Sequence, residues 1–193
     1  GTQTMTVSQI LSRSSNVGVV TLAQQLQRDG LNDWIHRFGF GRPTGIDFPG
    51  ESPGIVRPVE RWARVDLAVH SFGQGVSVTA LQLTAAFAAI ANGGLLMRPY
   101  LVRRIVSPRG DVVEEHRPVA VRRVVSERAA QTVTALLRRV VEEKGGTGTQ
   151  ARLEDFPVAG KTGTAQKVNL ETGGYSAKRI GSFVGFVPAD RPR

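Results

Sequence analysis

The chain has 193 residues, of which 40% are hydrophobic and 21% charged, and this composition describes a globular domain with a sizeable core, neither disordered nor collagen-like. No cysteine is present, which excludes disulfide scaffolds, thiolate metal sites and cysteine nucleophiles. The 25 Lys and Arg residues exceed the 16 Asp and Glu residues. The resulting net charge of +9 is compatible with binding to a polyanion. Because the arginines are scattered singly and in pairs, a solvated basic surface is favoured over a nucleic-acid site.

The first third of the chain predicts helices separated by one polar joint. Thr6 and Gln9 have the spacing of a capping box, which predicts a short helix from residue 7. Apolar residues then recur at helical spacing between residues 17 and 38. The triplet Ser14-Ser15-Asn16 therefore falls at a joint between helices. Residues 41–58 hold four prolines and four glycines, which predicts an irregular connection.

The middle of the chain predicts two further helices and several short strands. Residues 80–91 follow a second capping-box pair and are so apolar that the helix is expected to be buried on nearly all sides. β-Favouring runs at residues 100–106 and 119–125 flank a turn at residues 108–111, which predicts small strands or a hairpin. Ser126 is typical of an N-cap, and it predicts a long helix that extends to residue 144.

The last third predicts two strands, at residues 156–168 and 180–187, paired antiparallel through a glycine-containing loop that holds Tyr175. Two strands do not make a stable sheet alone, so more sheet is expected from elsewhere. The first strand contains the run Lys161-Thr162-Gly163-Thr164. Taken alone, this run is typical of an ordinary strand, and the Ser-x-Asn triplet is typical of a cap or turn.

The order and spacing of these motifs resemble the class B penicillin-binding proteins, most closely the division-type D,D-transpeptidases that crosslink peptidoglycan. The triplet at residues 14–16 matches the family's second motif, and the run at residues 161–164 matches its third. Further family signatures occur in family order at residues 38–41, 44–47, 49–51, 71–79, 91–94, 146–149 and 185–189. The resemblance implies an α/β (α+β) fold like that of the serine β-lactamases, with helices packed on an antiparallel sheet that is incomplete here.

One family motif is missing. The resemblance places Ser-x-x-Lys, the source of the acylated serine and its lysine base, upstream of Ser-x-Asn, but no Ser-x-x-Lys occurs in the 193 residues. The family's domain also continues with a strand and a helix beyond the second strand of the pair. Residues 1–193 are therefore interpreted as a partial transpeptidase domain of a longer protein, called the parent protein below. The chain by itself is expected to be inactive.

The resemblance assigns catalytic roles to three residues. Acyl transfer from a D-Ala-D-Ala peptide needs a nucleophile with its base, a route for the proton, donors for the oxyanion and a cation for the terminal carboxylate. Ser14 is expected to relay a proton toward the leaving nitrogen. Asn16 is expected to bind the donor-peptide amide and to orient the lysine of the missing motif. Lys161 is expected to supply positive potential beside Ser14 and the substrate carboxylate.

The other residues of the third motif are expected to bind substrate. The hydroxyls of Thr162 and Thr164 suit the terminal carboxylate, and Gly163 leaves room for a substrate that pairs with the strand as an added strand. The backbone N–H of Thr164 is expected to form one half of the oxyanion hole. Because β-lactams resemble D-Ala-D-Ala, the intact site is expected to be acylated by them.

The remaining polar and aromatic candidates favour structural roles. The three histidines share no ligand spacing, so neither a metal nor another cofactor is expected at His36, His70 and His116. No spacing identifies a deacylating base among the acidic residues of the connection, Asp47, Glu51 and Glu60. The two tryptophans are interpreted as anchors under the connecting loops: Trp34 and Trp62.

The expected partners are the peptidoglycan stem peptide, β-lactams and, through the parent protein, a glycosyltransferase and division proteins. The parent protein is expected on the periplasmic side of the bacterial inner membrane, anchored by a transmembrane helix outside this chain. A second hypothesis is a scaffold of the division machinery that has lost its serine. Because a partial domain leaves a sheet edge and the helix at residues 80–91 partly uncovered, self-association or pairing with the complementary fragment is also expected.

Overall fold

A computed structural model of the chain describes residues 4–168 and 174–192. The helices of these residues are α1 Val7–Ser12, α2 Asn16–Arg37, α3 Asp66–Ser71, α4 Ala80–Ala91 and α5 Glu127–Glu142. The strands are β1 Leu95–Met97, β2 Arg104–Val106, β3 Val112–Glu115, β4 Ala120–Arg123, β5 Ala159–Val168 and β6 Tyr175–Phe186. Helices and antiparallel strand pairs thus form the mixed fold expected from the sequence. No helix in the described part of the chain is both long and apolar enough to cross a membrane.

The predicted helix starts are confirmed by their caps. At α1 the Thr6 Oγ1 accepts from the Gln9 N–H at 3.2 Å, and the Thr6 N–H donates to the Gln9 side chain at 2.9 Å. α4 begins with the same capping box, and α5 begins after Ser126, whose hydroxyl caps it. α2 covers nearly all of the helical spacing predicted between residues 17 and 38, and it is kinked at Gln27, where φ is 59°.

The capping glutamine of α4 has a second function in the fold. The Gln82 Oε1 accepts from the Thr79 N–H at 2.9 Å, while its Nε2 donates to the backbone carbonyls of Arg42 and Pro53 at 2.8 and 2.9 Å. Gln82 is only 2% exposed. Its hydrogen bonds therefore attach the irregular connection at residues 41–58 to the start of α4, and every polar group of this buried side chain finds a partner.

α4 is partly uncovered in the described residues, as expected for a partial domain, and its burial on nearly all sides in the complete domain stays a prediction. Four of its residues are buried: Gln82, Ala86, Ala89 and Ile90. A stripe spaced four residues apart is exposed: Ala80, Thr84 and Ala88. Because alanine is small and a strong helix former, its high content marks a stable helix without requiring that every face be covered.

Trp62 anchors the connecting loop as the sequence predicts, whereas Trp34 packs in a core cluster between helix and strands. Trp34 packs against a core cluster around Ala89, Leu96 and Val124. Trp62 is 5% exposed, and its indole N–H donates to the Arg57 carbonyl at 3.0 Å.

Acidic side chains also hold the connecting loops, since Asp47 accepts from two backbone N–H groups and Glu51 accepts from two others.

The strands of the described residues pair in three two-stranded antiparallel sheets, β1 with β4, β2 with β3 and β5 with β6. The turn at residues 108–111 joins β2 to β3. The run at residues 119–125 contains one of the predicted small strands, β4, but it pairs with β1 and does not form a hairpin across this turn. β3 lies closer to the turn, so its pairing closes a shorter loop at a smaller entropic cost.

His116 holds the base of the β2–β3 hairpin. Its Nδ1 donates to the Val102 carbonyl at 2.8 Å, and its Nε2 donates to a Glu114 carboxylate oxygen at 2.7 Å. Since both acceptors lack a proton, the ring satisfies both contacts only as the imidazolium ion. The hydrogen bond to Glu114, followed by that to Val102, raises the pKa of His116 above its ordinary value.

This raised pKa predicts a pH dependence of stability. The stabilisation by His116 is fully present below the unfolded-state pKa of about 6.5 and is lost as the pH rises through the folded-state pKa. We expect the Tm to fall more between about pH 6 and about pH 8 in the wild type than in the His116→Gln variant. Thermal unfolding followed by circular dichroism at a series of pH values measures this difference. Parallel Tm profiles for the two proteins would contradict the assignment.

The β5–β6 pair is the part of the fold on which the site is built. The register aligns Lys161 with Val184 and Thr164 with Gly181, so the predicted antiparallel pairing is confirmed. β6 begins at Tyr175, so the prediction that Tyr175 lies in the connecting loop is wrong. The part of the predicted loop at residues 169–173 lies outside the described residues. Ala159 of β5 and Leu137 of α5 belong to one buried cluster. This packing fixes the position of β5 against the helices.

Candidate active site

The Ser-Ser-Asn triplet lies at the joint between α1 and α2, as the sequence predicts. Ser14 follows the C-cap of α1 and has a left-handed backbone with φ of 54°, which is uncommon for a residue other than glycine. Ser15 is the N-cap of α2, and its hydroxyl accepts from the Gly18 N–H at 3.2 Å. The capping role therefore belongs to the middle residue alone. Asn16 is the first residue of α2 and is exposed.

Lys161 connects this joint to the third motif. Its Nζ donates to the Ser14 Oγ at 2.9 Å and to the Thr162 carbonyl at 3.0 Å. Burial lowers the pKa of the Lys161 ammonium below the ordinary lysine value. Among the described residues, no carboxylate lies within ion-pair distance of Lys161. The site thus holds a half-buried cation whose charge is not neutralised by a neighbouring acid in the described part of the chain.

A further threonine supports this arrangement from the loop after α5. The Thr147 Oγ1 lies 2.8 Å from the Thr162 Oγ1, and the Thr147 N–H donates to the Ser12 carbonyl at 3.0 Å. Ser12 ends α1 two residues before Ser14. Thr147 therefore links the last turn of α1 to β5, and it helps to set the distance between Ser14 and Lys161.

The edge of β5 that faces away from β6 carries backbone groups able to pair with a ligand. The N–H and C=O of Gln166 bond to the side chain of Gln74, both at 3.0 Å, so they do not face β6. In a regular antiparallel strand, residues two apart direct their backbone groups to the same edge. The N–H and C=O of Thr164 therefore lie on the same open edge as those of Gln166.

A cleft of about 380 Å³ adjoins this edge. Eight residues line it: Asn16, Val69, Phe72, Gln74, Thr164, Gln166, Tyr175 and Arg179. None of these residues is acidic. Arg179, which lies on β6, adds a positive charge to that of Lys161 on β5. A cleft with a cation, side-chain amides and a strand edge suits a peptide that ends in a carboxylate.

The structure gives Gly163 a contact that the sequence did not predict. A Cβ atom at this position would lie 2.6 Å from the Oγ of Ser182, the residue opposite it on β6. Glycine therefore allows close packing across the β5–β6 pair in addition to the room expected for a substrate. Sequence reasoning also missed Thr147 and Gln74 as site residues, although both lie within runs matched to the family, residues 146–149 and 71–79.

The six predicted site residues thus come together where α1, α2 and β5 meet, with the cleft beside them. Residues 1–193 match the family of penicillin binding protein transpeptidase domains along their whole length, and the chain belongs to that family. It is 43% identical over 189 residues to the stage V sporulation protein D of Bacillus subtilis, with 97% of this chain and 29% of that protein covered. It is 36% identical over 189 residues to the peptidoglycan D,D-transpeptidase FtsI of Escherichia coli, with 98% of this chain and 30% of that protein covered.

The solved structures agree with the sequence relatives. The fold superposes with a TM-score of 0.91 on the crystal structure of penicillin binding protein 3 from Mycobacterium tuberculosis complexed with ampicillin. The two chains are 40% identical, and the match covers 97% of this chain and 43% of that one. The α+β transpeptidase fold expected from the sequence is thereby confirmed. The chain spans less than half of the length of the curated relatives it matches, 29 to 31% for three of them.

Proposed function

We propose that this chain is part of a peptidoglycan D,D-transpeptidase, which crosslinks stem peptides by acyl transfer from D-Ala-D-Ala and is acylated by β-lactams. The observation that carries the proposal is the 2.9 Å hydrogen bond between Lys161 and Ser14 beside the open edge of β5. This contact places the Ser14 hydroxyl, which can carry a proton, beside the Lys161 cation and the edge of β5. In the described residues no carboxylate pairs with that cation. Acyl transfer next to a terminal carboxylate requires these groups in addition to its nucleophile.

The nucleophile in this proposal is a serine of the parent protein, supplied by a Ser-x-x-Lys segment outside the 193 residues. Its hydroxyl oxygen bonds to the carbonyl carbon of the penultimate D-Ala, and its proton passes to the lysine of that segment. The bond to the last D-Ala then breaks, and the leaving nitrogen takes up a proton through Ser14. Asn16 binds the donor amide and orients the segment's lysine. An amine of a second stem peptide completes the crosslink by attacking the acyl-enzyme and releasing the serine.

The third motif holds the substrate in this proposal. Lys161 and the hydroxyls of Thr162 and Thr164 bind the terminal carboxylate, which matches the positive charge of the site. The Thr164 N–H on the open edge of β5 provides one oxyanion donor, and the nucleophilic serine provides the other. Loss of one such donor typically lowers a rate by about 100- to 1,000-fold. The chain without its serine segment is therefore expected to be catalytically inactive.

The proposed setting is the periplasmic face of the bacterial inner membrane, with the parent protein anchored by a transmembrane helix and working beside a glycosyltransferase and division proteins. Named relatives that act on peptidoglycan support this setting, as the enzyme FtsI does. The alternative proposal is a non-catalytic scaffold of the division machinery, whose parent protein would carry no Ser-x-x-Lys upstream of these residues. Self-association or pairing with the complementary fragment stays part of the proposal, because Ala80, Thr84 and Ala88 leave one face of α4 exposed.

Intact-mass spectrometry after incubation with penicillin tests the proposed function. The chain alone is expected to form no covalent adduct, whereas a mixture with the upstream segment of the parent protein is expected to form one adduct on that segment. An adduct on the chain alone would show a nucleophile within the 193 residues and would overturn the assigned roles. No adduct in the mixture, with association of the two pieces shown by gel filtration, would favour the scaffold.

A further inference from the structure

Gln74 occupies the edge of β5 in the manner of a strand residue. Its Nε2 donates to the Gln166 carbonyl and its Oε1 accepts from the Gln166 N–H, both at 3.0 Å. A side-chain carboxamide offers an amide N–H donor and a carbonyl acceptor side by side, and a neighbouring strand would present the same pair of groups to Gln166. The carboxamide therefore satisfies both backbone groups of Gln166 without any second strand at this position.

The segment that carries Gln74 is firmly held. The Tyr175 hydroxyl donates to the Gln74 carbonyl at 3.2 Å, and the Gln74 N–H donates to the Val69 carbonyl at 3.1 Å. The next residue, Gly75, packs so closely on His70 that a Cβ atom there would lie 2.5 Å from the ring. His70 is 4% exposed and stacks on Trp62 with ring centroids 3.9 Å apart. The position of Gln74 is thus fixed by the buried packing of His70 and Trp62 below it.

The position of this contact limits how a peptide pairs with β5. In an added strand that runs antiparallel to β5, one residue exchanges both of its backbone hydrogen bonds with Thr164. The residue two places before it would exchange its own pair with Gln166. Those two groups are already bonded to Gln74. A longer added strand would have to displace the carboxamide and break two hydrogen bonds.

We propose that Gln74 ends the peptide-binding edge of β5 after Thr164, so that a donor peptide pairs with the strand through the single residue that bears the attacked carbonyl. This inference rests on the proposed function and adds a residue that determines specificity. The preceding residues of the peptide leave the edge and enter the 380 Å³ cleft, which Gln74 borders together with Tyr175 and Arg179. Their recognition then depends on side chains and no longer on main-chain hydrogen bonds.

Two matched N-methylated donor peptides test this inference on the full-length parent protein. The peptides end in D-Ala-D-Ala, and each replaces one N–H by N–CH₃, which removes a single donor. One carries the methyl group on the residue that bears the attacked carbonyl, and the other carries it two residues earlier. In the wild type, the first methylation is expected to lower kcat/KM by about tenfold or more, the effect of one lost hydrogen bond. The second is expected to change it by less than about twofold, because Gln74 already occupies that position.

Removing the Gln74 carboxamide from the edge of β5 should make kcat/KM sensitive to methylation in the second peptide as well. In Gln74→Leu and Gln74→Ala, both backbone groups of Gln166 become available, and methylation two residues earlier is expected to lower kcat/KM by up to about tenfold. Gln25→Leu is the matched control, since Gln25 is an exposed glutamine of α2 and should keep the wild-type pattern. Acylation by penicillin, which has a single side-chain amide, reports in each variant that the site is folded.

The outcomes separate this inference from the function on which it rests. A wild-type parent protein that penicillin does not acylate would refute the proposed transpeptidase before any variant is compared. A wild type that is acylated but loses activity equally on both methylations would overturn the inference alone. The inference would also be overturned if both Gln74 variants kept the wild-type response to methylation. It would be overturned as well if both variants lost penicillin acylation while Gln25→Leu kept it, because Gln74 would then support the catalytic groups themselves.

Discussion

Replacing Lys161 by methionine in the parent protein is expected to lower the rate of acylation by penicillin by about 100- to 10,000-fold, the range for loss of a positioned proton-transfer or charge-stabilising group. Methionine keeps an unbranched chain of similar length but has neither charge nor donor. Ser14 would lose its 2.9 Å hydrogen bond, and the substrate carboxylate would lose the cation beside it. Stopped-flow measurement of acylation by a fluorescent penicillin gives the rate directly.

A second lysine of β5 provides the matched control. Lys167 is exposed and makes none of the contacts that join Lys161 to Ser14, so Lys167→Met removes an equal charge from the same strand. We expect this variant to acylate within about threefold of the wild type, as for a screened surface charge. Similar losses in the two variants would show that the net charge of the cleft matters and that the Ser14 contact does not.

Replacing Gly94 by alanine is expected to destabilise the protein by about 4 kcal/mol or more, which is exceptional for one methyl group. Gly94 follows α4 with φ of 90°, and a Cβ atom there would overlap the carbonyl oxygen of Val125. The Gly94 carbonyl also accepts from the Val124 N–H at 2.8 Å, so the two segments cannot separate without losing this bond. Thermal unfolding should show a Tm lowered by roughly 10 °C, since 1 kcal/mol corresponds to about 2–4 °C in a protein of this size.

A Gly110→Ala variant separates the two causes of this destabilisation, the left-handed backbone and the steric clash. Gly110 has the same φ of 90° in the turn of the β2–β3 hairpin, but no atom lies within 4 Å of a Cβ built there. Gly110→Ala therefore carries the left-handed backbone strain alone, about 1 to 2 kcal/mol. Equal Tm losses in the two variants would refute the steric clash at Gly94.

Local parts of the fold follow from the sequence because their causes are local. The capping boxes at Thr6 and Thr79 each bring together residues three apart, and the structure contains both. The antiparallel pairing of β5 with β6 was predictable as well, since one connection links neighbouring strands. The pairing of β4 with β1 was not, because several β-favouring runs compete and tertiary packing decides among them.

The active-site contacts depend on distant residues, and residue patterns alone did not predict them. Ser14 and Lys161 are 147 positions apart, and only the family resemblance suggested that they meet. The contact of Gln74 with Gln166 spans 92 positions, and neither glutamine had a spacing that distinguished it. A side chain that imitates a strand residue leaves no periodic trace in a sequence, so geometry was needed to find it.

The buried glutamine of α4 also couples the folding of two segments of this protein. Gln82 accepts its cap bond only when the first turn of α4 exists, and the same carboxamide holds the backbone at Arg42 and Pro53. The connection at residues 41–58 therefore gains its full set of Gln82 contacts together with the first turn of α4, although it precedes the helix along the chain. During synthesis from the ribosome this connection emerges first and waits without its partner. Ordering of the loop and nucleation of the helix thus become one cooperative kinetic step.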